Sequence, residues 1–120
     1  MAAPALLRSD GELPVRALTA IQAADAIACA IPLAPLREAL EHVGCPPALQ
    51  RAIPVIKAAS VAGLVAGRRD PRLGRITTAA LLGYFACALG AHARVHDPAR
   101  RYAAAAAMVG LTLAARRRFR

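Results

Sequence analysis

Four apolar runs dominate the sequence: Ala17–Leu36, Ala52–Gly67, Ile76–Ala91 and Tyr102–Ala115. Asp25 breaks the first and Lys57 the second, and the last two are uninterrupted. The intervening stretches Arg37–Arg51, Arg68–Arg75 and His92–Arg101 are rich in charge or proline. A helix needs about 20 apolar residues to cross a bilayer. The last run is short of that, but Arg101 and Arg116 can reach the head groups while their stems stay in lipid. The second run is expected to start near Pro47 and to bend at Pro54, which has no backbone N–H to donate. The pattern predicts an all-α fold, an integral membrane four-helix bundle. Its parts are a cytoplasmic N-terminal tail over 1–14, the helical domain over 15–115 and a basic cytoplasmic tail over 116–120.

Composition supports a membrane solvent. Of 120 residues 58% are hydrophobic and 3% aromatic, which leaves little bulk for an interlocked soluble core but suits helices that approach closely in lipid. Ala59, Gly63 and Gly67 recur every four residues, as do Ala86 with Gly90 and Ala106 with Gly110. Small residues at that spacing let backbones meet.

The net charge of +9 raises nucleic acid as a partner, because arginines pair with phosphates. The charges, however, sit in clusters between apolar runs, as membrane loops do, so the expected partner is the bilayer and not nucleic acid. With four spans, ten arginines fall on the side of the termini and the 68–75 loop, and five on the other. That asymmetry places both termini in the cytoplasm. Ala28-Cys29-Ala30 mimics a signal-cleavage site, but Asp10, Glu12 and Asp25 spoil the flanking pattern, and cleavage is not expected.

Polar residues inside the spans carry the candidate chemistry. An ionised Asp at mid-span costs roughly 3 kcal/mol and each Leu or Ile returns about 0.5, so the first helix is marginal without a polar partner. Lys57, the sole lysine beside fifteen arginines, lies at similar depth in the second span. Gln22, Asp25 and Cys29 share one helix face, as do Lys57 with Ser60 and Thr77 with Tyr84 and Cys87. An intramembrane polar site of Gln22, Asp25, Lys57, Ser60 and Tyr84 follows, with Tyr84 donating to Asp25. A second polar cluster, His92, Arg94, His96 and Asp97, falls at the outer end of the third span. His92 and His96 have helical ligand spacing, but the zinc-protease Glu is absent and no metal is expected. Cys29, Cys45 and Cys87 form no Cys-x-x-Cys pair; all three fall in the outer half, where thiols can be oxidised.

A set of short motifs in order resembles the DoxX-like family of small bacterial membrane proteins. They are Gln22-x-x-Asp25-Ala26, Gly44-x-Pro46, Pro54-Val55-x-Lys57-Ala58-Ala59, Gly63-Leu64-x-x-Gly67, Pro71-x-Leu73-Gly74, Tyr84-Phe85-Ala86 and Ala91-His92-x-Arg94-x-x-Asp97. The resemblance implies a four-helix bundle in the inner membrane and a link to a quinone-dependent redox complex, with no catalytic residues to carry over. The expected function is therefore an accessory membrane protein with no assigned reaction, acting beside a partner membrane protein or a second copy. Apart from quinone, no cofactor is expected. The alternative is a small permease or proton-coupled carrier that uses Asp25 and Lys57.

Overall fold

The computed structural model describes residues 11–31 and 33–120, and within them the chain is helical, without strands. The helices are α1 (Glu12–Ala30), α2 (Ala34–His42), α3 (Pro47–Gly67), α4 (Pro71–Arg94) and α5 (Ala99–Arg116), followed by a 3-10 turn at Arg117–Phe119.

Proline sets most of the boundaries. Ile31 precedes a proline and is extended (φ −82°, ψ 120°), which ends α1. Pro47 and Pro71 lie in the first turns of α3 and α4, where a missing N–H costs nothing. The Asp70 carboxylate caps α4 by accepting from the Arg72 N–H at 3.1 Å. Two helices end in the same six-residue closure. The Cys45 N–H donates to Leu40 C=O around Gly44, and the Asp97 N–H donates to His92 C=O around His96. Gly44 has φ 75° and His96 φ 54°, so a side chain occupies a conformation that glycine adopts more readily.

Four long helices run up, down, up and down. α1 packs against α3 and α5, and α4 packs against α3 and α5, so the four close a ring. Here the expected architecture needs one correction, in the number of helices. Five α-helices occur among the described residues, because the charged loop expected from Arg37 contains α2, whose APLREALEH sequence alternates apolar and polar at helical spacing. Correspondingly, the first long helix starts at Glu12 and stops at Ala30, well before Leu36. Among the described residues three helices, α1, α3 and α4, are long and apolar enough to cross a membrane. The fourth, α5, compresses Arg100, Arg101 and Arg116 into 18 residues.

Residues 116–120 pack onto the bundle through Phe119. Phe119 is fully buried and its ring lies over Gly74, where a Cβ would overlap it. Gly67 and Gly74 are so close that a Cβ on Gly67 would come 2.7 Å from the Gly74 Cα. Gly63 meets Thr77 in the same seam. The Ala59/Gly63/Gly67 stripe is thus a helix contact through its two glycines, whereas Gly90 and Gly110 face open space. Phe119 joins Val15, Leu18, Leu64, Leu81, Phe85 and Ala115 in one core at this end of the ring.

Charged groups close the same end. Glu12 is bound by Arg16 at 3.1 Å, Arg118 at 3.1 Å and Arg68. Arg75 donates to the Phe119 carbonyl at 2.8 Å, and Arg116 donates to the buried Thr78 hydroxyl at 3.0 Å. These contacts fasten the last turn to α1, α3 and α4.

Gly74→Ala should lower stability by about 1–3 kcal/mol, because the new methyl displaces a buried ring in a packed seam. Gly110→Ala, facing open space, should leave stability unchanged or raise it. Thermal melting of the two purified variants in mild detergent checks this. Equal melting temperatures would remove the seam from the account.

Candidate functional site

Two rungs of polar contact join α1 to α3. Gln22 and Asp25 lie one turn apart on α1, and Lys57 and Ser60 one turn apart on α3. In antiparallel register, Gln22 meets Ser60 and Asp25 meets Lys57.

The hydrogen-bond directions follow from proton counting. Ser60 has one hydroxyl proton and donates it to the Lys57 carbonyl at 2.6 Å. Its oxygen must then accept from Gln22, so the amide presents Nε2, at 3.0 Å. The Gln22 side chain is fully buried, and its Oε1 has no partner among the described residues. Buried acceptors in this position commonly take a bound water.

Lys57 donates to Asp25 Oδ2 at 3.2 Å. Its ammonium also stands 5.2 Å from the centroid of the Tyr84 ring, within range for a cation–π contact. Tyr84 is held edge-on to Phe85, with ring centroids 5.4 Å apart. The two partners of the ion pair are unequally placed: the Lys57 side chain is 9% exposed and that of Asp25 is 48% exposed. All five residues of the expected intramembrane site therefore come together. The detail that differs is Tyr84, which meets the cation through its ring instead of donating to Asp25.

The second cluster is assembled by three elements at the opposite end from Phe119. Asp97, 3% exposed, accepts from both sides: His42 Nε2 lies 2.8 Å from Oδ1 and His92 Nδ1 lies 2.6 Å from Oδ2. His92 also packs obliquely on Tyr102, 6.0 Å between centroids. Arg94 donates to the Val43 carbonyl at 2.7 Å and ties the end of α2 to α4. His96 is exposed and serves the turn with its backbone, outside the cluster. The sequence reading missed His42, which stands 55 residues from Asp97 inside a helix taken for a loop. The signal was present in the apolar spacing of Leu36 and Leu40 and in Gly44, a helix-ending residue two positions beyond His42.

The Asp97 carboxyl titrates below its ordinary value. The His92 hydrogen bond is the main cause, burial opposes it, and the His42 hydrogen bond and nearby positive charge add to the lowering.

A groove of about 610 Å³ runs between the end of α2, α3 and α4, with Cys45, Tyr84, Cys87 and Arg94 among its walls. Cys45 and Cys87 are free thiols that share this groove, whereas Cys29 lies in a different crevice. Burial pushes the Cys45 thiol up, away from the reactive thiolate.

The sequence model of the DoxX-like family matches residues 15–115. No curated protein and no solved structure matches the chain.

Asp25→Asn should destabilise more than Lys57→Met, by about 1–3 against about 1 kcal/mol, because it strands the more buried partner. The double variant should cost less than the sum by at least about 0.5 kcal/mol. Denaturation of the four proteins checks the coupling, and strict additivity would dissolve the pair.

Asp97 gives a separate acid signature. A carboxyl held below its unfolded value adds stability above the ordinary carboxylate range, and loses it as pH falls through the lowered folded value. The melting temperature should drop below about pH 4. Asp97→Asn should melt lower at neutral pH and show a flatter acid limb. Parallel acid limbs in the two proteins would contradict the assignment.

Proposed function

The chain belongs to the DoxX-like family, and we propose that it is a polytopic inner-membrane protein acting as an accessory subunit of a membrane complex. The observation that carries this reading is the set of large apolar side chains left exposed while polar ones are buried. Gln22, Lys57, Ser60, Thr78 and Thr112 are buried, while Ile27, Val55, Ile76 and Val65 stand more than half exposed. Such a surface suits lipid and not water. Isolated charges at membrane depth face the bundle interior and pair, as Lys57 does.

In this reading α5 spans with its arginines at the two interfaces, joining the three apolar helices. A run of 18 residues is about 27 Å long, close to the roughly 30 Å hydrocarbon thickness. The Glu12–Phe119 end faces the cytoplasm, where the arginine-rich 68–75 turn and the last turn lie together.

The accessory role is supported by how the polar side chains are used. Asp25 is engaged with Lys57, Gln22 with Ser60, and Asp97 with His42 and His92. Each contact joins separate elements, so the chain's polar chemistry holds a shape that a partner can read. The groove beside Tyr84 fits a flat apolar ring with acceptor oxygens, since its walls are mostly aliphatic and the Tyr84 hydroxyl is a donor. This supports a quinone-linked complex. When bound there, a quinone would supply two-electron redox chemistry, with Tyr84 orienting it by a hydrogen bond.

The expected outcome is that a tagged protein stays in the membrane after carbonate extraction and that a reporter after Arg120 reads cytoplasmic, while one inserted within 38–50 reads external. Gentle purification from native membranes should bring a membrane protein with it. Recovery in the soluble fraction would end the reading, and an external C-terminus would reverse the topology.

A further inference from the structure

On the outer end, opposite the Glu12 clamp, α2 contributes no buried residue to the fold. Yet it is amphipathic. Leu36 and Leu40 line a crevice of about 440 Å³, closed by Ile31 at the end of α1 and by Pro54 on α3. This crevice is separate from the Tyr84 groove in all its walls except Leu40. An apolar hollow open to the outside of a bundle is filled by something apolar when the solvent is lipid.

Charge selects what fills it. Arg37 and Arg51 both line the crevice, and among the described residues neither forms a salt bridge. Elsewhere arginines near acids do pair: Arg16, Arg68 and Arg118 converge on Glu12, and Arg72 reaches Asp70. The two acids of α2, Glu38 and Glu41, do not line the crevice. Its remaining polar wall, Gln50, donates to the Cys45 carbonyl at 2.8 Å. Two guanidiniums without a counter-charge thus stand over an aliphatic slot. Arginine matches phosphate by a planar, bidentate fork of donors.

We propose that this crevice is a binding site for one anionic phospholipid, with its phosphate on Arg37 and Arg51 and an acyl chain against Leu36, Leu40, Ile31 and Pro54. α2 is then an interfacial helix whose apolar side is completed by lipid. Helices of this kind lie in the head-group region with their apolar face turned to the acyl chains. The site is distinct from the quinone groove, and it rests on the membrane placement argued above.

The test uses the full chain purified from native membranes in mild detergent. Native mass spectrometry should show one phospholipid retained, enriched in phosphatidylglycerol over zwitterionic lipid. Added phosphatidylglycerol should raise the melting temperature more than phosphatidylcholine does. An arginine beside an anionic lipid surface contributes on the order of fivefold in affinity, so Arg37→Gln with Arg51→Gln should weaken binding roughly 25-fold. Arg100→Gln with Arg101→Gln, at the same end but outside the crevice, should have little effect. Leu40→Trp, which fills the slot and keeps both charges, should also expel the lipid.

Equal responses to the two lipids overturn the proposal, as does full retention in the Arg37/Arg51 variant. A stabilisation reproduced by inorganic phosphate alone, or retained in Leu40→Trp, removes the acyl chain from the site and overturns it too. A protein that fractionates with the membrane yet fails these tests loses the lipid site alone. One that fractionates as soluble loses the membrane reading first.

Discussion

Lys57 constrains the rest of the bundle. An ammonium sealed inside a helical bundle must find a counter-charge within its own structure, and Asp25 on α1 provides it at 3.2 Å. Once those two meet, the antiparallel register of α1 and α3 is set, because sliding either helix by one turn would take Lys57 away from the Asp25 carboxylate. Gln22 and Ser60 then fall opposite each other without further adjustment, one turn nearer the apolar core. Apolar contacts between alanine-rich faces do little to distinguish one register from the next. The polar rungs make that distinction, and the interlocking of Leu18, Leu64, Leu81 and Phe85 below them depends on it.

The two ends of the bundle are closed by different physics. At one end a ring of arginines around Glu12 and the buried Phe119 fasten the last turn to α1, α3 and α4. The glycines at 67 and 74 make room for that ring by bringing two backbones together. At the other end a buried carboxylate between two imidazoles joins α2, α4 and the turn into α5. The first closure gathers three guanidiniums on one carboxylate. The second holds one buried carboxylate between two imidazoles, whose hydrogen bonds keep it ionised below the ordinary carboxylate range.

Much of this was legible in the sequence, and the exceptions have physical causes. Asp25 and Lys57 were identifiable as a pair because each is anomalous in an apolar run, and one anomaly in lipid requires another. Gln22, Ser60 and Tyr84 followed from helical spacing. His42 did not, since nothing local marks a histidine as the partner of an acid 55 residues away. Helix α2 was obscured by its own composition: nine residues with two acids, an arginine and a histidine read as a loop when hydrophobicity is scanned for spans. The buried Phe119 was hidden among arginines, and only the neighbouring glycines on α3 and α4 show where its ring goes. Gly63 and Gly90 look alike in sequence, yet one meets a neighbour and the other faces open space, because small-residue spacing states that an approach is permitted and not that it occurs.

The unequal exposure of the ion pair ties the architecture to its surroundings. Lys57 is sealed between Asp25 and the Tyr84 ring, but half of the Asp25 side chain faces outward. One carboxylate oxygen holds the lysine, which leaves the other able to accept a hydrogen bond from outside the bundle. A carboxylate half open to hydrocarbon is costly unless a donor reaches it. The pair that sets the register of α1 and α3 therefore also marks the face where the bundle is least complete alone.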